Sequence, residues 1–243
     1  MATDRSMRWP MQSSTWRALG NSYTVVETDD DRRLEPADAV ALAREADGVI
    51  EVLASADEQV EIAIWNPDGS RAELSGNGTR IAAAWLTARS GAERIEVVVG
   101  ERSVITRILE DGVLEQDLGE VTVAPHETIE GFSVTPVSVG NPHAVVLGDP
   151  DTIVHIGPLL ETHSRFPART NVQVARIDAP GRVTARVWER GVGETASSGT
   201  SAVAVAAATH GEGEVVVRFP GGDLRVRLEN GRAWLYGSAE RVS

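Results

Sequence analysis

The chain has 243 residues, 42% of them hydrophobic, and its 23 basic and 36 acidic side chains leave a formal charge of −13. Scattered negative charge argues against nucleic acid or an anionic membrane as a partner and for a small polar or zwitterionic ligand. Cysteine is absent and arginine supplies every Lys-or-Arg position, which closes disulfides, thiolate metal sites, cysteine nucleophiles and lysine Schiff bases. The N-terminal "MATDRSMRWPMQSS" has no hydrophobic stretch of signal-peptide length and no apolar run could span a bilayer, so a globular protein of the cytoplasm is expected.

In chain order, "EPADAVALAREA" from Glu35 has the spacing of a helix and "EIAIW" from Glu61 that of a strand. A second helix is predicted in "TRIAAAWLTARS" from Thr79, followed by strands in "RIEVVV" from Arg94 and "SVITRIL" from Ser103. Further on come strands in "GFSVTPVSV" from Gly131, "NVQVARI" from Asn171 and "RVTARVW" from Arg182. A third helix, "TSAVAVAAATH" from Thr200, precedes strands in "EVVVRF" from Glu214 and "DLRVRL" from Asp223. The helices at Thr79 and Thr200 are nearly apolar on all sides, so each must be buried and surrounded by sheet. The expected class is α+β, with a helix inside a curled antiparallel sheet.

The segments "SGNGTRIAAAW" at Ser75 and "SGTSAVAVAAA" at Ser198 superimpose at an offset of 123 residues, about half the chain. Two similar halves are the economical arrangement. The first half is assigned to residues 1–118 and the second to 119–232, with the junction in "GEVTVAPHETIEG" between Gly119 and Gly131. Residues 233–243 are expected to return to the first half, and the active cleft to lie between the two.

Each repeat presents a serine and a glycine where the chain enters a buried helix. Free backbone N–H groups and the positive end of the helix dipole bind carboxylate or phosphate at such a place, and glycine permits close approach. Gly76 and Asn77 stand at one end, Gly199 and Thr200 at the other. Taken singly, Ser75 and Ser198 read first as ordinary caps; taken as a pair at matched positions, they favour a site. In "WERGVGETASSGTS", Glu189 and Arg190 place opposite charges beside a loop, where they could read the two ends of an amino acid or form a surface ion pair. Asn21 in "ALGNSY", Asn66 in "WNPDGS", Asn141 in "VGNPH" and Asn171 in "RTNVQV" are turn residues that also suit ligand contacts. His143 is the one histidine in a tight glycine, asparagine and proline context, a candidate for a place near the chemistry. His126, His155, His163 and His210 have no partner at metal-ligand spacing, so no metal is expected.

Taken in order, "ALGNSY", "DGVIEVL", "NPDGSRAELSGNGTRIAAAW", "VGNPHAVV", "ARTNVQVARI" and "WERGVGETASSGTSA" resemble the diaminopimelate epimerase family over nearly the whole chain. The resemblance implies two pseudo-symmetric halves, each an antiparallel sheet wrapped around a central helix. It also implies a cofactor-free inversion of one α-carbon, from LL- to meso-diaminopimelate, in lysine and peptidoglycan biosynthesis. By motif, Asn66, Asn141, Asn171, Glu189 and Arg190 would read the distal amino acid end. Gly76, Asn77, Gly199 and Thr200 would hold the reacting end, and Asn21 would add a further contact. The family's two acid/base positions are cysteine, and this sequence carries Ser75 and Ser198 there. His143 or Glu189 is the neighbour that could take a proton from a serine. A further departure is that "LAREADGVIEVL" lacks the glycine loop usual in the family.

Three functions stay open at this level. One is an epimerase of diaminopimelate or a related amino acid; another is a silent relative that binds an amino acid or a partner subunit. The third is a double-bond isomerase or dehydratase on the same architecture. A small amino acid is the expected partner, with a homodimer as one arrangement of the chain.

Overall fold

The computed structural model describes residues 13–29, 31–72 and 74–243; most of the segment read above for a signal peptide, and Glu73 before the first glycine turn, lie outside the described residues. The first run of elements is β1 (Ser13–Ala18), β2 (Asn21–Glu27), α1 (Pro36–Leu42), β3 (Val49–Ser55), β4 (Gln59–Trp65), β5 (Arg71–Ala72), α2 (Gly76–Ser90), β6 (Arg94–Val99), β7 (Arg102–Ile108) and β8 (Leu114–Glu120). Two short strands follow, β9 (Thr122–Val123) and β10 (Glu127–Ile129). The second run is β11 (Phe132–Ser138), β12 (Pro142–Leu147), α3 (Ile153–Glu161), β13 (Asn171–Ala179), β14 (Arg182–Glu189), β15 (Gly193–Thr195), α4 (Gly199–Thr209), β16 (Gly213–Phe219), β17 (Gly222–Glu229) and β18 (Arg232–Gly237). A last short strand, β19 (Glu240–Arg241), pairs with β1.

The two runs pair their strands in the same way. In the first, β1–β2 is antiparallel, β2–β3 parallel, β3–β4 antiparallel and β4–β6 parallel, with β6, β7 and β8 continuing antiparallel. In the second, β11–β12 is antiparallel, β12–β13 parallel, β13–β14 antiparallel and β14–β16 parallel, with β16, β17 and β18 continuing antiparallel. The sheet is therefore mixed, where alternation alone suggested an antiparallel one. A helix between two strands carries the chain back to its starting side, and each such crossover makes a parallel pair. Strand β18 also pairs with β8, so one sheet runs through both halves.

Helices α2 and α4 each lie inside one curl of this sheet. Every residue from Gly76 to Ala83 in α2 and from Gly199 to Ala207 in α4 is buried. Ile50, Ile62, Ile64 and Val97 pack around the first, and Val145, Ala185, Val217 and Leu224 around the second. Alanine on most faces lets the sheet approach each helix from all sides at interior packing density. Helix α2 begins at Gly76, three residues before the predicted start at Thr79, because Ser75 is its cap, extended at φ −132° and ψ 120° with its hydroxyl accepting from the Gly78 N–H. It stops at Gly91, whose left-handed φ of 74° suits glycine.

The predicted helix from Glu35 is shorter than its spacing suggested. Glu35 and Asp38 close a capping box at its start, and Ala43 leaves the helical conformation at φ −85° and ψ 6°. The chain is thereby freed to bring the Asp47 carboxylate to the Ser22 N–H at 2.7 Å. Helix α3, with Pro158 inside it, has no counterpart among the predicted runs. Among the described residues no helix is long and apolar enough to cross a membrane.

Candidate active site

The N-termini of α2 and α4 meet head to head at two glycines. A Cβ added to Gly76 would stand 3.1 Å from Gly199 Cα, and one added to Gly199 would stand 3.2 Å from Gly76 Cα and 2.7 Å from Leu235 Cδ2. Only glycine allows two helix ends this close, and the approach brings two sets of unpaired backbone N–H groups to one place. A cavity of about 670 Å³ opens there. Asn21, Asn66, Ser75, Gly76, Asn77, Asn141, Asn171, Glu189, Arg190, Ser198, Gly199 and Thr200 all line it, whereas His143 does not.

The α2 end is held by a polar cluster. Asn77 Nδ2 donates to Asn21 Oδ1 at 3.1 Å and to Ser197 Oγ at 3.3 Å, and Ser197 in turn donates to the Leu19 carbonyl at 2.8 Å. These bonds tie the first half to the strand end just before α4. Behind Asn77 lies Arg80, fully buried, whose Nη2 donates to Asn77 Oδ1. Its Nε and Nη1 have no hydrogen-bond partner among the described residues, and burial lowers the guanidinium to about 10. A positive charge one turn inside the helix adds to the dipole at the mouth of the cavity.

Ser75 and Ser198 occupy matching cap positions but differ in partners. Ser75 Oγ accepts from the Gly78 N–H at 3.0 Å and lies 3.2 Å from the Tyr23 hydroxyl. Ser198 caps α4 without a side-chain hydrogen bond to the helix. Tyr23 is buried, lines the same cavity, and is pushed up to about 12, first by desolvation and then by the Glu189 and Asp47 charges, against the Ser75 hydrogen bond.

The α4 end rests on a different network. Asn141 Nδ2 donates to Thr200 Oγ1 at 3.4 Å, while its Oδ1 lies 2.9 Å from His143 Nε2. The other ring nitrogen of His143 lies 3.0 Å from Gln173 Nε2, which also donates to Ser201 Oγ at 2.9 Å. Since the Gln173 amide donates, His143 accepts at Nδ1 and carries its proton on Nε2, toward Asn141. Burial pushes the imidazole down to about 3, with Arg190 adding to the effect and Gln173 opposing it. His143 is thus a neutral buried support with both nitrogens engaged, set behind the cavity wall where sequence proximity had placed it near the serines.

The charged loop closes the far side. Glu189 accepts from Thr195 Oγ1 at 2.5 Å, and burial raises its carboxyl above the usual range while Thr195 opposes the rise. Asn171 Oδ1 accepts from the Arg190 N–H at 3.0 Å and its Nδ2 donates to the Pro142 carbonyl at 3.0 Å. Glu161, on α3, accepts from the Gly191 N–H at 2.7 Å and from Trp188 Nε1 at 2.8 Å, so it fixes the turn that carries Glu189 and Arg190. Asn66 Nδ2 donates to Ser70 Oγ at 2.9 Å in the opposite wall.

Sequence reasoning missed Tyr23, Arg80, Glu161, Gln173 and Ser197. One signal was available: "GNSY" and "GNPH" place Tyr23 and His143 at the same interval after a glycine and an asparagine. Arg80 and Glu161 gave none, since charged side chains are ordinarily exposed and only the fold buries these.

A protein-family model described as diaminopimelate epimerase matches residues 16–123 and 135–242. A diaminopimelate epimerase of Desulforudis audaxviator is 36% identical over 272 residues, covering 96% of this chain and 97% of its own. One from Synechococcus elongatus is 33% identical, covering 96% of each chain, and a chloroplastic one from Oryza sativa is 32% identical, covering 93% of this chain and 77% of its own. Among solved structures, a predicted epimerase from Pseudomonas aeruginosa superimposes with a TM-score of 0.73 at 17% identity, covering 96% of this chain and 97% of its own. A probable proline racemase from Agrobacterium radiobacter does so with a TM-score of 0.73 at 14% identity, covering 96% and 91%. These structures share the fold described above.

Proposed function

The chain belongs to the diaminopimelate epimerase family, and from that premise we propose that it interconverts LL- and meso-diaminopimelate, with Ser75 on one face of the reacting α-carbon and Ser198 on the other. At the coarser level it is an enzyme, an amino acid epimerase. The observation that carries the proposal is the meeting of two serine-capped helix ends at Gly76 and Gly199 on one cavity. A carboxylate seated between those ends receives backbone N–H groups and two helix dipoles, which also stabilise the negative charge that builds there when the α-proton leaves.

The distal end of the substrate is read by the far wall. Glu189 suits the ammonium, and Arg190, held by Asn171, suits the carboxylate. Asn66 and Asn141 add amides that can accept or donate. No cofactor enters this reading: the proton moves between side chains and the α-carbon. Lysine and peptidoglycan biosynthesis in the cytoplasm is the setting such a substrate implies.

Serine makes the proton transfer harder than a thiol would. A thiol has a reference pKa of about 8.5, and an alcohol lies far above it, near water, so the alkoxide costs on the order of 10 kcal/mol more. A hydroxyl at these positions therefore works only with a neighbour that shares its proton.

The test is exchange of the α-proton of LL-diaminopimelate in deuterated water, with formation of the meso isomer. Exchange with stereochemical inversion is expected. Folded protein that binds diaminopimelate without exchange, and gains exchange only as the double variant Ser75→Cys with Ser198→Cys, would overturn turnover by the serine pair while keeping the substrate.

A further inference from the structure

We propose that Tyr23 is the proton-sharing partner of Ser75: its phenol supplies and retrieves the proton that Ser75 exchanges with the α-carbon. This rests on the epimerase reading above and assigns the neighbour that reading requires.

The geometry is a short chain of hydroxyls pointing into the cavity. Tyr23 Oη lies 3.2 Å from Ser75 Oγ, and both residues line the cavity wall. Ser75 Oγ already accepts from the Gly78 N–H at 3.0 Å. With the Tyr23 hydroxyl donating to its remaining lone pair, the serine's own O–H is left to face the ligand. Strand β2 sets this up, since Asn21 and Tyr23 are two residues apart and point to one face, Asn21 to Asn77 and Tyr23 to Ser75. The ring is held flat by bare backbone: a Cβ on Gly48 would stand 2.7 Å from Tyr23 Cε1. A side chain there would push the hydroxyl off Ser75.

The chemistry balances as a proton relay on each face of the α-carbon. As the new α-C–H bond forms, the Ser75 O–H bond breaks and the Tyr23 proton passes to Ser75 Oγ. Ser75 ends as a neutral alcohol and Tyr23 as a phenolate, while the proton leaving the opposite face passes to Ser198 Oγ as the Ser198 proton goes to the Glu189 carboxylate in the same cavity wall. In the reverse direction the phenolate draws a proton back through Ser75, and the electron pair of the broken α-C–H bond stays on the substrate. Tyr23, at about 12, rests neutral at neutral pH and so begins as donor. Even so raised, it is a stronger acid than an aliphatic alcohol, which lies near water.

Tyr23→Phe removes one oxygen and keeps the ring that packs on Gly48. The expected result is a fall in kcat of about 10²-fold or more with KM within about threefold, and loss of the alkaline limb of the kcat profile. Adding Ser75→Cys to Tyr23→Phe should restore at least about tenfold, because a thiol with its lower pKa has less need of the phenol. Wild-type exchange with an equally active Tyr23→Phe would overturn the proposal alone; wild-type protein silent toward every stereoisomer of diaminopimelate would overturn the epimerase reading and the proposal with it. The pairing has its own check apart from turnover. The chain has two tyrosines, so 13Cζ-labelled tyrosine gives two NMR lines, and Ser75→Ala should move the Tyr23 line and leave that of Tyr236 in place. An unmoved Tyr23 line would overturn the pairing.

Discussion

Tyr23 and His143 hold equivalent places in the two halves and make different bonds. Each follows a left-handed glycine and an asparagine: Gly20 at φ 80° and Asn21 before Tyr23, Gly140 at φ 79° and Asn141 before His143. Both lie near the start of the second strand of their repeat, β2 and β12, which pair in parallel with β3 and β13. Tyr23 reaches forward to Ser75, whereas His143 turns back to Asn141 and Gln173. A repeated backbone therefore does not repeat its chemistry. One half keeps a hydroxyl facing the cavity, and the other uses its ring to hold Asn141 against Thr200.

The largest expected effect tests that difference through pH. His143 has a folded value near 3 against an ordinary 6.5, so between these the unfolded chain binds a proton that the folded one does not. Its contribution is fully present above the unfolded value and is lost as pH falls toward the folded one. At about 1.4 kcal/mol per unit, wild type should lose on the order of 3 kcal/mol more than His143→Gln between pH 7 and pH 4 in urea unfolding. Tyr23 has the opposite sign: its value rises from 10.0 to about 12, so its contribution is present below the unfolded value and is lost as pH rises through that window. Wild type should lose about 2 kcal/mol more than Tyr23→Phe by about pH 11.5. A His143→Gln difference that stays flat through the acid range would show the imidazole to be charged or exposed, and the contrast would collapse.

How much of this was legible follows from what each signal depends on. The helices α2 and α4 announced themselves because an all-round apolar helix is rare and the serine and glycine ahead of each repeat in sequence. The residues of the cavity wall came with the same motifs. Strands β8 and β12 were harder: "LEQDLGE" is polar on both faces, and β12 opens on a proline. The parallel pairings could not be read, since alternation is the same in either direction. His143 was misplaced for a related reason. Its neighbours in sequence suggested the site, but its ring is oriented by Gln173, a residue 30 positions away.

A middle-sized effect concerns the point where the halves touch. Gly199→Ala would set a Cβ 2.7 Å from Leu235 Cδ2 as well as against Gly76, whereas Gly76→Ala meets Leu235 only at 3.5 Å. Overpacking of this kind costs about 1–3 kcal/mol, and the cost should be greater at Gly199. Denaturation midpoints of the two variants measure it directly. Equal losses would mean that the helix ends part symmetrically, and that Leu235 gives way without strain.

The smallest effect separates the two tryptophans that precede the site loops. Trp65 Nε1 donates to Glu51 at 2.9 Å and Trp188 Nε1 to Glu161 at 2.8 Å, so each pins a buried carboxylate. Replacing either by Phe removes one charge-assisted bond, while Glu51 keeps the Leu34 N–H and Glu161 keeps the Gly191 N–H. The loss in stability should be similar on the two sides, about 1–2 kcal/mol. Their effects on binding should not be. Leu34 lies before α1 and does not line the cavity, but Gly191 adjoins Arg190 in the cavity wall. Trp188→Phe loosens the carboxylate that fixes this turn, so it should raise KM for the amino acid severalfold, with Trp65→Phe changing it less. If Trp65→Phe raised KM as much, the buried carboxylates would serve both walls alike, and the second half would lose its claim to the distal end of the substrate.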